Sequence, residues 1–275
     1  MPTAAQAMRE AGALGIDRLD AQLLLAAALS RPRSWLLAHD DAMLTPLQQQ
    51  RFATHCERRA RGEPVAYLLG EKAFHGLTLY VDTSVLVPRP DTETLVDWAL
   101  DLLHAGPPRP AVLDLGTGSG AIALAVAHAH PAAQVCATDI SAAALAIARA
   151  NGERLGLAVE WLPGDWWAPL AGQRFDLVLA NPPYVAADDP HLEALAHEPR
   201  GALTPGGDGL SALRAISAQA GAHLCAGGWL LLEHGYEQAT AVQAMLRDAG
   251  FGAIETRKDL AGQLRCTGGR WNAAA

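Results

Sequence analysis

Val112-Leu113-Asp114-Leu115-Gly116-Thr117-Gly118-Ser119-Gly120 carries an apolar strand straight into three alternating glycines, and the helical run 121–128 follows at once. Glycine lets the backbone turn sharply and lie against a ligand, while the free amides of a helix start attract negative charge or a carboxylate. A strand, a tight glycine turn and a helix in that order read as a Rossmann-like unit.

The same alternation continues along the chain. Candidate strands fall at 111–115, 134–138, 159–162, 175–180, 229–233, 253–257 and 264–268, with helices fitting between most of them. This predicts an α/β fold with a seven-stranded, mostly parallel sheet, helices on both faces and a ligand at the carboxyl ends of the strands. A helix at about 92–104 and the proline-rich stretch 106–110 precede the first of these strands.

From residue 1 to about 72 the periodicity is helical, with apolar residues at Leu14, Leu19, Leu23, Leu24, Trp35, Leu36, Leu37 and Phe52, and it predicts four or five short helices. Thr45-Pro46-Leu47-Gln48 reads as a helix start, with Thr45 as N-cap, Pro46 at the first position and Gln48 closing a capping box. Between Phe74 and Val87 the pattern becomes alternating, at Leu77, Leu79, Val81, Val85 and Val87 around Asp82-Thr83-Ser84, which predicts a β-hairpin turning there. The expected organisation is a small all-α domain at 1–72, a hairpin linker at 73–90 and the sheet domain at 91–275.

Composition narrows the function classes. Half of the 275 residues are hydrophobic and 18% are charged, enough for a packed core. The net charge is -8 and no run of five Lys or Arg occurs, which disfavours a wide grip on a phosphate backbone, so no direct nucleic-acid binding is expected. The four cysteines form no CxxC pair and the ten histidines show no metal-ligand spacing, so no metal is expected. The N-terminus lacks the apolar core of a signal peptide and no apolar stretch reaches membrane-spanning length. These features predict a cytoplasmic protein without membrane contact, and a monomer is the default.

The glycine spacing bears on the ligand. The dinucleotide fingerprint asks for a glycine at position 121, where this chain has Ala121, so a methyl-donor site is favoured over an NAD site. Candidate cofactor-binding residues are Gly116, Thr117, Gly118, Ser119 and Gly120, with Asp139 at the next strand end, where a carboxylate can accept both ribose hydroxyls. Asp139 is also placed to cap the following helix, a role for which Ser141 competes. Gly164-Asp165-Trp166 ends the third strand; Asp165 could meet an adenine amino group and Trp166 could cover the ring, or the segment is a loop with a buried tryptophan.

Asn181-Pro182-Pro183-Tyr184 follows the fourth strand directly. An amide nitrogen is a poor nucleophile because its lone pair is delocalised, so methylating it needs groups that hold its hydrogens and stabilise the positive charge growing on nitrogen. Asn181 offers a side-chain carbonyl and Pro182 a main-chain carbonyl, the two prolines fix the turn in advance, and Tyr184 can stack on a planar amide or base. Asn181, Pro182 and Tyr184 are therefore the candidate catalytic residues, with Pro183 joining them at the acceptor and Asn181 also facing the cofactor. Adenine N6, exocyclic guanine amines and glutamine amides all suit this chemistry; a plain strand-ending turn is the alternative.

Three further segments accompany these motifs: Gly62-Glu63-Pro64-Val65-Ala66-Tyr67-Leu68-Leu69-Gly70, Phe74-His75-Gly76 and Leu86-Val87-Pro88-Arg89-Pro90-Asp91-Thr92-Glu93. With them the chain resembles the peptide chain release factor glutamine methyltransferases, the HemK or PrmC family, over nearly its whole length. The resemblance implies a class I methyltransferase fold that uses S-adenosyl-L-methionine, leaves S-adenosyl-L-homocysteine and needs no metal. It also implies a helical N-terminal domain that helps to dock release factors. The acceptor would be N5 of the glutamine in their Gly-Gly-Gln loop, its amide meeting Asn181 and Pro182 and its plane meeting Tyr184; methylation of exocyclic amines of nucleic-acid bases is the alternative activity. The segment Ala196-His197-Glu198-Pro199-Arg200 departs from family members that carry aromatic or basic residues just before the Glu-Pro. Arg89 and Glu93 are placed either to touch substrate or cofactor or to make a rigid helix entry, and Glu233-His234-Gly235 reads as structural.

Overall fold

The structure, a computed structural model, describes residues 1–272; the alanine end of the chain, and with it the last residues of the expected 91–275 domain, lies outside the described residues. Met1–Glu71 forms one compact unit and the chain from Lys72 onward a second.

Five helices build the first unit: α1 (Ala4–Ala13), α2 (Arg18–Leu29), α3 (Arg33–Leu36), α4 (Pro46–Ala60) and α5 (Val65–Leu69). Thr45 caps α4 as its sequence predicts: its side chain accepts from the Gln48 amide, the Gln48 side chain returns the bond, and Pro46 occupies the first turn. Thr3 and Gln6 make the same box on α1. Leu24, Leu25, Leu44, Phe52 and Cys56 fill this unit's core. The apolar stripe is narrower than predicted, because Leu14, Leu19 and Leu37 face outward, Leu37 being 74% exposed.

A two-stranded sheet follows, β1 (Glu71–Phe74) and β2 (Leu77–Tyr80), all of it but Glu71 in the second unit. The hairpin turns at His75 and Gly76, both at positive φ (46° and 78°), and not at 82–84 as the alternation predicted. Two consecutive residues at positive φ make the turn type whose twist suits paired strands. Val81, Val85 and Val87 keep their alternation and their burial without pairing in a strand.

A 3-10 turn (Pro90–Thr92) leads into α6 (Glu93–His104). The chain then alternates through β3 (Ala111–Leu115), α7 (Ala121–Ala129), β4 (Gln134–Asp139), α8 (Ala142–Leu155), β5 (Glu160–Pro163) and β6 (Phe175–Ala180). Short helices α9 (His191–Ala194) and α10 (Arg200–Leu203) precede α11 (Ser211–Gln219), β7 (Leu224–Glu233), α12 (Ala239–Asp248), β8 (Phe251–Lys258) and β9 (Leu264–Trp271).

The main sheet has the order β5-β4-β3-β6-β7-β9-β8, with β9 antiparallel to both neighbours and the other pairs parallel. Period-two alternation sends side chains into separate cores. Val112, Leu177, Leu179 and Leu231 pack with Leu95 and Trp98 of α6 and Leu124 and Val126 of α7. Leu113, Val178, Leu230 and Leu232 pack with Leu213 and Ile216 of α11 and Val242 and Leu246 of α12. The strand order reverses at β3, between β4 and β6, and such a reversal opens a crevice at the carboxyl ends of the strands.

Candidate active site

At the end of β3 the chain turns through Gly116, Gly118 and Gly120 with φ of 71°, 55° and 83°, a region L side chains rarely adopt. The Gly116 and Thr117 amides both donate to the Thr138 carbonyl on β4, at 2.9 and 3.0 Å. Asp114 braces the turn from below, accepting the Thr117 hydroxyl at 2.6 Å and the Ala123 amide at 3.2 Å. Burial pushes this carboxyl up to about 7 against the pull of those two bonds. From α8, Asn151 donates to the carbonyls of Ser119 and Tyr80 at 3.0 and 2.9 Å, tying the turn to the hairpin.

Asp139 ends β4 with both oxygens engaged: Oδ2 accepts from the Gly118 amide and Oδ1 from the Ser141 amide, each at 2.8 Å. Burial raises its carboxyl, and the amides of Ser141, Gly118 and Ile140 hold it down. Ser141 wins the capping role, its side chain accepting from the Ala144 amide at 3.1 Å.

A cavity of about 270 Å³ opens at the ends of β3, β4 and β6, bordered by Gly116, Thr117, Gly118, Ser119, Asp139, Asp165, Trp166, Asn181 and Pro183. Trp166 sits at a positive φ of 42°, and a Cβ added to Gly116 would come within 3.1 Å of its ring. A Cβ there would crowd the ring, and the positive φ of Gly116 adds to the preference for glycine. The buried tryptophan of this loop is Trp167, stacked on His223 at 4.8 Å. Gly120 is the one predicted cofactor residue that does not border the cavity; a Cβ there would press on Leu124, Trp161 and Ala148.

Beside it lies a smaller cavity of about 90 Å³, bordered by Asn181, Pro182, Tyr184 and Glu233. Asn181 borders both cavities. Its Nδ2 donates to Thr92 Oγ1 at 3.1 Å, which leaves Oδ1 as the acceptor end. The Tyr184 hydroxyl donates to Glu233 Oε1 at 3.3 Å. Burial first, then the Glu233 charge, raises the Tyr184 hydroxyl. Burial pushes Glu233 up to about 7, opposed by Thr92, Arg265 and Tyr184 and assisted by Asp91. Arg265 is held in turn by Asp259 at 3.1 Å and Asp91 at 3.4 Å.

Arg89 also borders both cavities and pairs with the buried Glu198, whose other oxygen accepts from the Val87 amide at 3.0 Å. Glu93 serves elsewhere, accepting from the His75 amide at 2.9 Å in the hairpin turn. Of the two residues left open by the sequence, Arg89 is at the site and Glu93 supports the hairpin. His234 is structural as predicted, fully buried with its ring nitrogens on Thr267 and Gly235. Glu233, read with it as structural, stands instead at the smaller cavity, against Tyr184. A carboxylate after the apolar Leu230-Leu231-Leu232 at a strand end was the available signal, since buried acids collect at functional sites.

Two family descriptions match the chain: "PrmC N-terminal domain" over residues 3–70 and "Methyltransferase small domain" over residues 96–213. The release factor glutamine methyltransferase of Bordetella pertussis is 50% identical over 258 residues, covering 93% of this chain and 95% of that protein. That of Burkholderia pseudomallei is 47% identical over 277 residues, covering 98% and 96%. A methyltransferase structure from Pyrococcus furiosus, 19% identical, superposes with a TM-score of 0.56 over 80% of this chain and 99% of that one, which bears on the fold. Half the residues in common along nearly the full length of both chains, on a Rossmann-like methyltransferase sheet, makes this chain a member of the release factor glutamine methyltransferase family.

Proposed function

We propose that this chain transfers a methyl group from S-adenosyl-L-methionine to N5 of the glutamine in the Gly-Gly-Gln loop of peptide chain release factors. The observation that carries the reading is Asn181, which borders a larger cavity suited to the donor and a smaller one suited to the acceptor side chain.

The residues around the larger cavity fit the donor. Gly116 leaves a cradle against the Trp166 ring that a Cβ would fill, a flat aromatic wall suited to an adenine. Asp139 and Asp165 offer carboxylates for ribose hydroxyls and the adenine amino group, and the glycine turn, its Gly116, Thr117 and Gly118 amides committed to Thr138 and Asp139, lets the main chain lie against the donor. Gly120 shapes the turn without contact. When bound, the donor supplies an electrophilic methyl on a sulfonium.

This chain's own residues orient the acceptor. Asn181 Oδ1 and the Pro182 carbonyl accept the two amide hydrogens, which localises the lone pair and stabilises positive charge on nitrogen as it grows. Tyr184 flanks the amide plane, its hydroxyl anchored on Glu233. Holding the nitrogen in line with the methyl supplies the rest through orientation. Residues 1–72 dock the release factor, 73–90 link, and the domain from 91 catalyses, in a cytoplasmic monomer. Among the described residues no helix is long and apolar enough to cross a membrane.

A transfer assay with labelled methyl donor tests this reading, offering a release factor, its Gln→Ala variant in the Gly-Gly-Gln loop, and mixed RNA and DNA. Label on the wild-type factor alone supports it. Label on nucleic acid alone would retain the fold and overturn the acceptor.

A further inference from the structure

We propose that Glu233, acting through Thr92, decides which end of the Asn181 side-chain amide faces the acceptor. This rests on the proposed acceptor chemistry and assigns Glu233 and Thr92 as positioning residues.

An asparagine amide can enter a site in either of two orientations, and only one presents oxygen to an acceptor N–H. Here Nδ2 donates to Thr92 Oγ1 at 3.1 Å. A hydroxyl that accepts one bond still has a single proton to give. Beside Thr92 stands Glu233, 1% exposed, whose Oε1 already takes the Tyr184 hydroxyl and whose Oε2 makes no well-formed hydrogen bond. A buried oxygen left without a partner is costly, so the Thr92 proton belongs there. A carboxylate only accepts. Donation therefore runs one way, from Asn181 to Thr92 to Glu233, and Oδ1 is left for the substrate.

Protonating Glu233 reverses this direction. The acid donates to Thr92, the Thr92 proton is freed to turn toward Asn181, and the amide flipped with Oδ1 toward Thr92 becomes the one that can receive it. Nδ2 would then oppose the acceptor N–H, donor against donor. The groups facing Glu233 are Thr92 and Asp91 from the 3-10 turn, Tyr184 from the loop after β6, and Arg265 and Cys266 from β9, with His234 next along the chain. Arg265 favours the charged form and Asp91 the neutral one, while burial raises the carboxyl to about 7. The switch thus falls within reach of ordinary assay conditions.

The test combines turnover with a measurement that needs none. The chain has three asparagines, so nitrogen-15 labelling of asparagine gives a short list of side-chain amides in which Asn181 is assigned by its loss in Asn181→Ala. In the wild type the Asn181 amide signals should move with a midpoint near 7, and kcat on a release factor should fall below the same pH. Thr92→Val, which keeps the shape and loses the hydroxyl, should abolish both responses and lower kcat roughly tenfold or more while leaving donor affinity nearly intact. Glu233→Gln should abolish both responses, and Thr92→Ser should restore them. A folded Thr92→Val protein with wild-type kcat and the same acid limb would overturn the inference, as would wild-type Asn181 signals that ignore pH. Signals that respond as expected in a protein that leaves release factors unlabelled would sink the proposed acceptor and spare this inference.

Discussion

The amide of Gly118 donates to Oδ2 of Asp139 across two neighbouring strand ends, at 2.8 Å. The glycine turn is thereby fastened to β4 by the same carboxylate that borders the larger cavity. Asp139→Ala removes this tether together with the acceptors proposed for the ribose hydroxyls, and is expected to weaken donor binding by about 1–3 kcal/mol. Titration calorimetry with S-adenosyl-L-methionine measures this directly; an unchanged dissociation constant would remove Asp139 from the site.

Asn181→Ala should separate chemistry from binding. Loss of the Oδ1 acceptor is expected to lower kcat by roughly 10²–10³, the range for removing one preorganised hydrogen-bonding group from a transition state. Donor affinity should stay close to wild type, because the walls of the larger cavity are otherwise intact. A variant with full kcat would exclude the amide-holding role.

Gly209 has φ of 77°, and a Cβ there would come within 2.3 Å of the Tyr184 carbonyl oxygen. Gly209→Ala should therefore displace the backbone behind the smaller cavity, proposed to take the acceptor, and add about 1–2 kcal/mol of left-handed strain. Thermal denaturation should show the loss, and KM for the release factor should rise more than the dissociation constant of the donor. Equal effects on both would place the damage outside the acceptor pocket.

Asp114 and Glu233 give stability a definite pH slope. Their ordinary values are 3.8 and 4.5, and burial in the folded chain raises each to about 7. Between about pH 4 and 7 the folded state holds protons that the unfolded state has released, so these groups make stability fall as pH rises through that window. The exposed Asp208, lowered to about 2, acts below it. Urea unfolding at pH 5 and pH 7.5 should give the higher midpoint at pH 5, and Asp114→Asn should flatten the difference. A midpoint that rises with pH and is indifferent to this substitution would contradict the assignment.

The strand and helix alternation was legible because both faces of the sheet are covered, so β3 and β6 read as apolar runs broken only by Asp114 and Asp176. The capping box at Thr45 was legible because it is entirely local. The hairpin turn was misplaced because Val81, Val85 and Val87 go on alternating after the pairing has ended, and alternation reports burial, not hydrogen bonding. Leu14, Leu19 and Leu37 have helical spacing but lie outside the packed stripe, a distinction that depends on neighbouring helices. Glu233 and Thr92 escaped for a different reason. Their significance comes from a meeting of residues 92, 181, 184, 233 and 265, which no local pattern encodes.

The position of β9 between β7 and β8 has a consequence for synthesis. All the strands that flank the larger cavity are complete by Ala180, whereas Arg265, whose charge opposes the rise of the Glu233 carboxyl beside the smaller cavity, belongs to β9. A chain growing from its N-terminus can shape the donor half while the edge of β7 still lacks its partner. Arg265 reaches Glu233 only once β9 has entered the gap between β7 and β8, so of the two cavities the smaller is the one whose charge balance waits for a late pairing of the sheet.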